Sequence, residues 1–162
     1  MTDSSRFVPP EIASTFCTSE RVPGDRSQAT GDRRQAMGVR TAKELTVYEK
    51  AYKLSMDIFR VSQSFPIEER YALTSQIRRS SRSVCMNLRE AWAKRRYEAN
   101  FISKLTDCDG EVNETDTSLD YALDCGYMTN EQHQDFATRC SEVGAMLGPM
   151  IRNPQPFLTS DS

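Results

Sequence analysis

The side chains able to carry chemistry are few. His133 is the single histidine, which excludes a zinc site built on paired histidines and most Ser–His or Cys–His catalytic arrangements within one chain. It reads as a solvated helix residue. The five cysteines, Cys17, Cys85, Cys108, Cys125 and Cys140, are odd in number and hold no C-x-x-C pair, so neither a disulfide framework nor a metal knuckle is indicated. Cys85, Cys108 and Cys140 fall on apolar stripes and read as small core residues in a reducing compartment. Glu90, Glu111 and Glu114 lie close to those stripes. Facing carboxylates inside a bundle suggest a di-metal centre, but that chemistry needs Glu-x-x-His motifs, and Glu111-Val112-Asn113-Glu114 has no histidine. Glu90 or Glu114 tied to Arg78, Arg79 or Gln76 in a hydrogen-bonded network is the better reading. There is no glycine-rich phosphate loop and no nucleophile with a plausible base. The expectation is a protein that is not an enzyme and uses no cofactor or metal.

These residues must be positioned by helices. Apart from Pro66, no proline occurs from Thr41 to Gly148, and apolar residues recur at helical spacing. The first stripe is Val47, Ala51, Leu54, Ile58, Val61 and Phe65. The second is Leu73, Ile77, Ser80, Val84, Leu88 and Ala91. The third is Phe101, Leu105, Cys108, Val112, Thr115, Leu119 and Ala122, and the last is Phe136, Cys140, Val143, Leu147 and Ile151. Pro66 followed by Glu68 and Glu69 suits the first turn of a helix, and Gly126 suits a helix C-terminus. The predicted fold class is all-α: an up-down-up-down antiparallel four-helix bundle over 41–152. Residues 1–40 hold three of seven prolines and three of seven glycines, and read as a disordered leader with one short turn near Glu11–Phe16. Met37 is an alternative start. Residues 153–162 read as a flexible tail. No apolar run approaches the ~20 residues of a membrane span, and no signal-peptide core follows Met1. The expected location is the cytoplasm, with no membrane partner.

The 162 residues carry 21 basic and 23 acidic side chains, for a net charge of -2, and that balance conceals a division. Residues 68–104 have nine basic and four acidic side chains, whereas residues 105–142 have one basic and ten acidic. Three readings stay open. Neighbouring helices pair opposite charges on a solvated surface, each pair contributing ~0–1 kcal/mol. A basic strip of Arg82, Arg89, Lys94, Arg95, Arg96 and Lys104 binds RNA or DNA, with Trp92 and Tyr97 stacking on bases. Or the basic strip of one subunit meets the acidic strip of the next.

The run Phe65-Pro66-Ile67-Glu68-Glu69-Arg70-Tyr71-Ala72-Leu73-Thr74-Ser75-Gln76-Ile77-Arg78-Arg79 resembles the signature of the bacterial four-helix bundle proteins, also called 23S ribosomal RNA intervening-sequence proteins. Further motifs are matched at Ser83-Val84-Cys85-Met86-Asn87-Leu88-Arg89-Glu90-Ala91, at Gly110, Glu114 and Thr117, and at Cys125-Gly126-Tyr127. The resemblance spans residues 41–151. It implies a homo-oligomer, a pentamer being favoured. It also implies kinship with the accessory variability determinant of diversity-generating retroelements, a pentameric bundle that binds nucleic acid and a reverse transcriptase. Gln76, Arg79, Asn87, Glu90 and Glu114 would be the shared structural polar residues. Gly110, in mid-helix, would mark a close helix approach. Departures are Cys85 for a family proline, predicting a straighter second helix, and Arg89 and Ala91 for an alanine and a glycine. An adaptor or accessory subunit using the acidic face of 107–124 is the alternative role.

Overall fold

The computed structural model describes residues 39–159; the expected leader up to residue 38, with its Glu11–Phe16 turn, Cys17 and Met37, lies outside the described residues, whereas Val39, expected in that leader, packs against the core. Four helices account for most of the chain: α1 (Thr46–Val61), α2 (Leu73–Ala93), α3 (Glu98–Asp124) and α4 (Asn130–Arg152). Helix α1 packs on α2, α2 on α3, α3 on α4, and α4 back on α1. Connections this short leave antiparallel neighbours as the available arrangement. The result is the up-down-up-down bundle that the 3.6-residue period predicts.

The four apolar stripes meet in one core. Ile77, Leu105, Cys108, Leu119, Ala122 and Leu147 are fully buried there. Helix α2 runs unbroken through Cys85, where the family pattern has proline. Helix α3 ends in a Schellman motif: Gly126 has φ +72, its N–H donates to Leu123 O at 2.8 Å, and the Tyr127 N–H donates to Ala122 O at 2.8 Å. Only glycine enters that left-handed region without a Cβ penalty. Helix α4 begins with a capping box, in which Thr129 Oγ1 accepts from the Gln132 N–H at 3.2 Å and Gln132 Oε1 accepts from the Thr129 N–H at 3.0 Å.

Three local expectations are corrected. Pro66 does not start α2; it precedes a 3-10 turn, Ile67–Tyr71, and the α-helix begins only at Leu73. Glu69 does serve that start, since its Oε2 accepts from the Leu73 N–H at 3.2 Å. Residues 154–158, expected in a flexible tail, fold back on the bundle: Gln155–Phe157 is a 3-10 turn, and Phe157 is buried and stacked on Phe101 with centroids 6.3 Å apart. Two prolines stop a helix, but they do not keep an aromatic ring in water when a core lies within reach. Gly110 marks no close approach, because a Cβ built there meets nothing within 4 Å. Gly110→Ala is therefore expected to raise stability by up to ~1 kcal/mol through helix propensity alone. A loss of stability in urea denaturation would contradict that.

Candidate nucleic-acid interface

Helix α2 presents its outer face between the 3-10 turn and mid-helix. Arg70, Arg78, Arg79 and Arg82 line one open groove there, together with Tyr71, Thr74, Ser75, Ser83 and Met86. The helical members lie three, four and seven residues apart or adjacent to one another, so they share a face. Arg70 joins them because the 3-10 turn carries it past the start of the helix. Tyr71 is 88% exposed and Met86 69%, an uncommon presentation of apolar surface beside four guanidinium groups.

The groove has a fixed edge. Arg78 Nε donates to Ser62 Oγ at 2.7 Å, and the guanidinium groups of Arg78 and Arg82 lie 5.0 and 5.3 Å from the Phe59 ring centroid. Stacking on an aromatic face restrains both side chains while leaving their charge. Burial, and then the positive charge of Arg82, pushes the Arg78 guanidinium below its ordinary value. A cation crowded in this way gains when an anion arrives.

The expected strip is thereby divided. Arg82 belongs to the groove. Lys94 and Lys104 do not; both pair with Glu90, at 2.6 and 3.2 Å, and Lys104 also pairs with Asp107 at 3.0 Å. Arg95 folds over Trp92 at 4.3 Å and donates to Trp92 O at 2.7 Å. Trp92 itself is buried, with its indole N–H directed at Arg40 O, and so is not a stacking platform. Tyr97, 61% exposed, keeps that capacity. Arg89 is exposed one turn beyond Cys85, and Arg96 is exposed in the α2–α3 connection. The groove thus centres nearer the start of α2 than the strip read from the sequence.

The five polar residues singled out for a network are not brought together. Arg79 Nη2 and Glu114 Oε1 lie 3.7 Å apart, an ion pair too long for a hydrogen bond. Glu90 faces its lysines instead. Gln76 is exposed and Asn87 half-buried. A deeper polar contact joins α2 and α3: Thr115 Oγ1 lies 2.9 Å from Ser80 Oγ, both essentially inaccessible to solvent. Ser80 stood in the predicted stripe as a small residue; its hydroxyl opposite Thr115 was the signal available. His133 is not simply solvated, since its Nε2 lies 2.7 Å from Asp120 Oδ1 across the α3–α4 interface.

The three core cysteines are inert. Burial pushes each of the Cys85, Cys108 and Cys140 thiols up to about 12, far from a reactive thiolate. Among the described residues no group of three histidine, cysteine or acidic side chains is placed to hold a metal ion, and no helix is long and apolar enough to cross a membrane.

Glu111 provides a pH-linked test of the α2–α3 face. Burial, and then the neighbouring Glu114 carboxylate, push its carboxyl above the ordinary value, only partly offset by Arg79, and its Oε2 has no hydrogen-bond partner. A carboxyl raised in the folded state binds its proton more tightly there than in the unfolded chain. It therefore weakens the fold at neutral pH, and the penalty fades as pH falls through the ordinary carboxylate range near ~4.3. Glu111→Gln should raise the melting temperature at pH 7, with the gain shrinking towards pH 4. An equal gain at both pH values would show that ionisation is not the cause.

The fold and groove define an up-and-down helical bundle with a basic, aromatic-edged outer face. The profile of the 23S rRNA-intervening sequence protein family matches residues 43–149, and the chain belongs to that family. Among solved structures, it is similar to a protein of unknown function of the S23 ribosomal protein family from Bacteroides thetaiotaomicron. The two are 28% identical with a TM-score of 0.60, over 66% of this chain and 96% of that one. None of the curated proteins matches this chain.

Proposed function

We propose that this chain is a non-enzymatic, oligomeric binding protein of the cytoplasm that holds single-stranded nucleic acid along the α2 groove. The observation that supports it is the gathering of Arg70, Arg78, Arg79 and Arg82 beside exposed Tyr71 and Met86. Guanidinium groups match phosphate oxygens in geometry as well as charge. Arg78 and Arg82, one turn apart, stand about 6 Å from each other along the helix axis, which suits successive phosphates of one strand. An exposed tyrosine offers a face for a base whatever its identity. RNA and DNA both fit this chemistry, and a ring of subunits, a pentamer being favoured, would present several grooves at once.

The test is fluorescence anisotropy of labelled single-stranded RNA and DNA at graded salt. Four engaged phosphates give a slope of log affinity against log salt near about -3. Arg79→Gln/Arg82→Gln should make that slope shallower by about 1.4 and weaken binding at least tenfold at low salt. No binding by the unaltered protein, or binding unchanged in the double variant, would overturn the reading. Size-exclusion chromatography with light scattering tests the assembly, and a strictly monomeric particle would refute it.

A second reading has its own observation. Asp107, Asp120 and Asp124 are exposed along α3. An accessory subunit would use this acidic face for a basic protein partner, a reverse transcriptase being the kind the family resemblance suggests. Asp120→Lys/Asp124→Lys would then release the partner while leaving nucleic-acid binding intact.

A further inference from the structure

Seven hydroxyl side chains are buried among the described residues. Ser55, Ser62, Ser81, Thr115 and Ser118 each donate to the backbone carbonyl three or four residues earlier, and Ser80 has the Thr115 hydroxyl as its partner at 2.9 Å. Thr74 is the exception, since it is 7% exposed and its Oγ1 has no hydrogen-bond partner. The cause is local. Helix α2 begins at Leu73, so the residue four back, Arg70, lies in the preceding 3-10 turn rather than in the helix. A buried hydroxyl left unpaired is destabilising and calls for an explanation.

Thr74 lines a recess of about 280 Å³ where α1 ends and α2 begins, walled by Ser62, Phe65, Pro66, Arg70 and Arg78. The recess and the α2 groove share Arg70, Thr74 and Arg78, so one opens into the other. Arg78 is already oriented by Ser62 and Phe59. Neither acid of the 3-10 turn, Glu68 or Glu69, is in the lining; Glu69 faces the Leu73 N–H and the Tyr127 hydroxyl. The Thr74 oxygen is shielded from solvent in the structure. A χ1 step to the neighbouring staggered position, one of two that helical threonine adopts readily, would turn it toward the recess. The surroundings then offer two guanidinium groups, one hydroxyl donor and the positive end of a helix.

We propose that this recess is an oxyanion site for a phosphate monoester, and that it takes the terminal phosphate of a strand lying in the groove. The second half of the proposal rests on the nucleic-acid reading above. A monoester fits better than a backbone diester because it carries up to two charges and three terminal oxygens, matching two guanidinium groups and a hydroxyl. The position fits too, since a strand following α2 toward its start reaches the recess at the end of the helix.

The experiment compares one 12-nucleotide RNA carrying a 5′-phosphate, a 3′-phosphate or hydroxyl ends, by anisotropy at fixed salt. One phosphorylated form should bind at least fivefold more tightly than the hydroxyl-ended strand. Thr74→Val should erase that difference, and the hydroxyl-ended strand, which reads the groove alone, gives the reference against which any loss of groove affinity is subtracted. The substitution is isosteric and removes an unpaired hydroxyl, so the variant should melt no lower than the unaltered protein. Equal affinity for all three strands, or an end preference that survives both Thr74→Val and Arg70→Gln, overturns the strand-end site. If no strand binds, the nucleic-acid reading fails by itself, and inorganic phosphate then probes the recess. A phosphate-induced rise in melting temperature that Thr74→Val abolishes supports a free-phosphate site, and no such rise overturns the recess as well.

Discussion

Phe101→Ala should lower the unfolding free energy by about 3–5 kcal/mol, a large share of the roughly 5–15 kcal/mol typical of a single domain. Phe101 lies in the first turn of α3 and is 1% exposed. Its ring packs on Phe157 with an interplanar angle of 25°, and the returning chain is further held where Gln155 Nε2 donates to Glu98 Oε2 at 3.0 Å. Truncation leaves a cavity between α3 and the C-terminal turn that packs on it. Phe157→Ala should cost less, because the terminal segment can collapse or detach. Since the rings touch, the two losses should not add; a coupling of about 0.5–3 kcal/mol is expected from the double-mutant cycle. Urea denaturation measures all four corners. A Phe101→Ala loss below 1 kcal/mol, or strict additivity, would show that the C-terminal turn does not close the core.

That contact also shows what the amino-acid order conceals. The helices are legible because burying one stripe of each requires apolar residues every three or four positions, and Val47 to Ile58 or Phe101 to Ala122 meet that requirement without tertiary information. Phe157 carries no period. It stands between Pro156 and Leu158 with no helical stripe around it, and only the core beside it explains its burial. The basic face is legible in part. Arg78, Arg79 and Arg82 share a helix face and Glu90 pairs with Lys94 by spacing alone, but the pairing of Glu90 with Lys104 depends on where α3 crosses α2. Arg70 enters the groove only because Ile67–Tyr71 forms a 3-10 turn, which the proline and the two glutamates do not distinguish from the first turn of an α-helix.

The α2–α3 interface should respond to substitution in a way that contact counting would not suggest. Thr115→Val is expected to cost about 1–3 kcal/mol, whereas Ser80→Ala/Thr115→Val together should cost clearly less than that single change. The two hydroxyls lie 2.9 Å apart between helices, and Thr115 also donates to Glu111 O at 2.8 Å. Both residues are sealed from water, Ser80 at 0% and Thr115 at 1% exposure. Valine matches threonine in shape and keeps the packing. What it removes is the partner of Ser80, whose remaining contact with Ile77 O is long at 3.4 Å. The penalty of the single change is thus desolvation of an under-bonded hydroxyl, and it disappears when that hydroxyl is removed as well. Small side chains continue along the same seam: Cys108 Sγ lies 3.5 Å from Val84 O, and Ser81 and Ser118 are buried with their hydroxyls turned to their own helices. The seam joining the two halves of the charge division thus carries a row of small and hydroxyl side chains beside the large apolar residues of the core. If the double variant loses as much stability as Thr115→Val, the seam depends on packing volume and the Ser80–Thr115 bond is incidental to it.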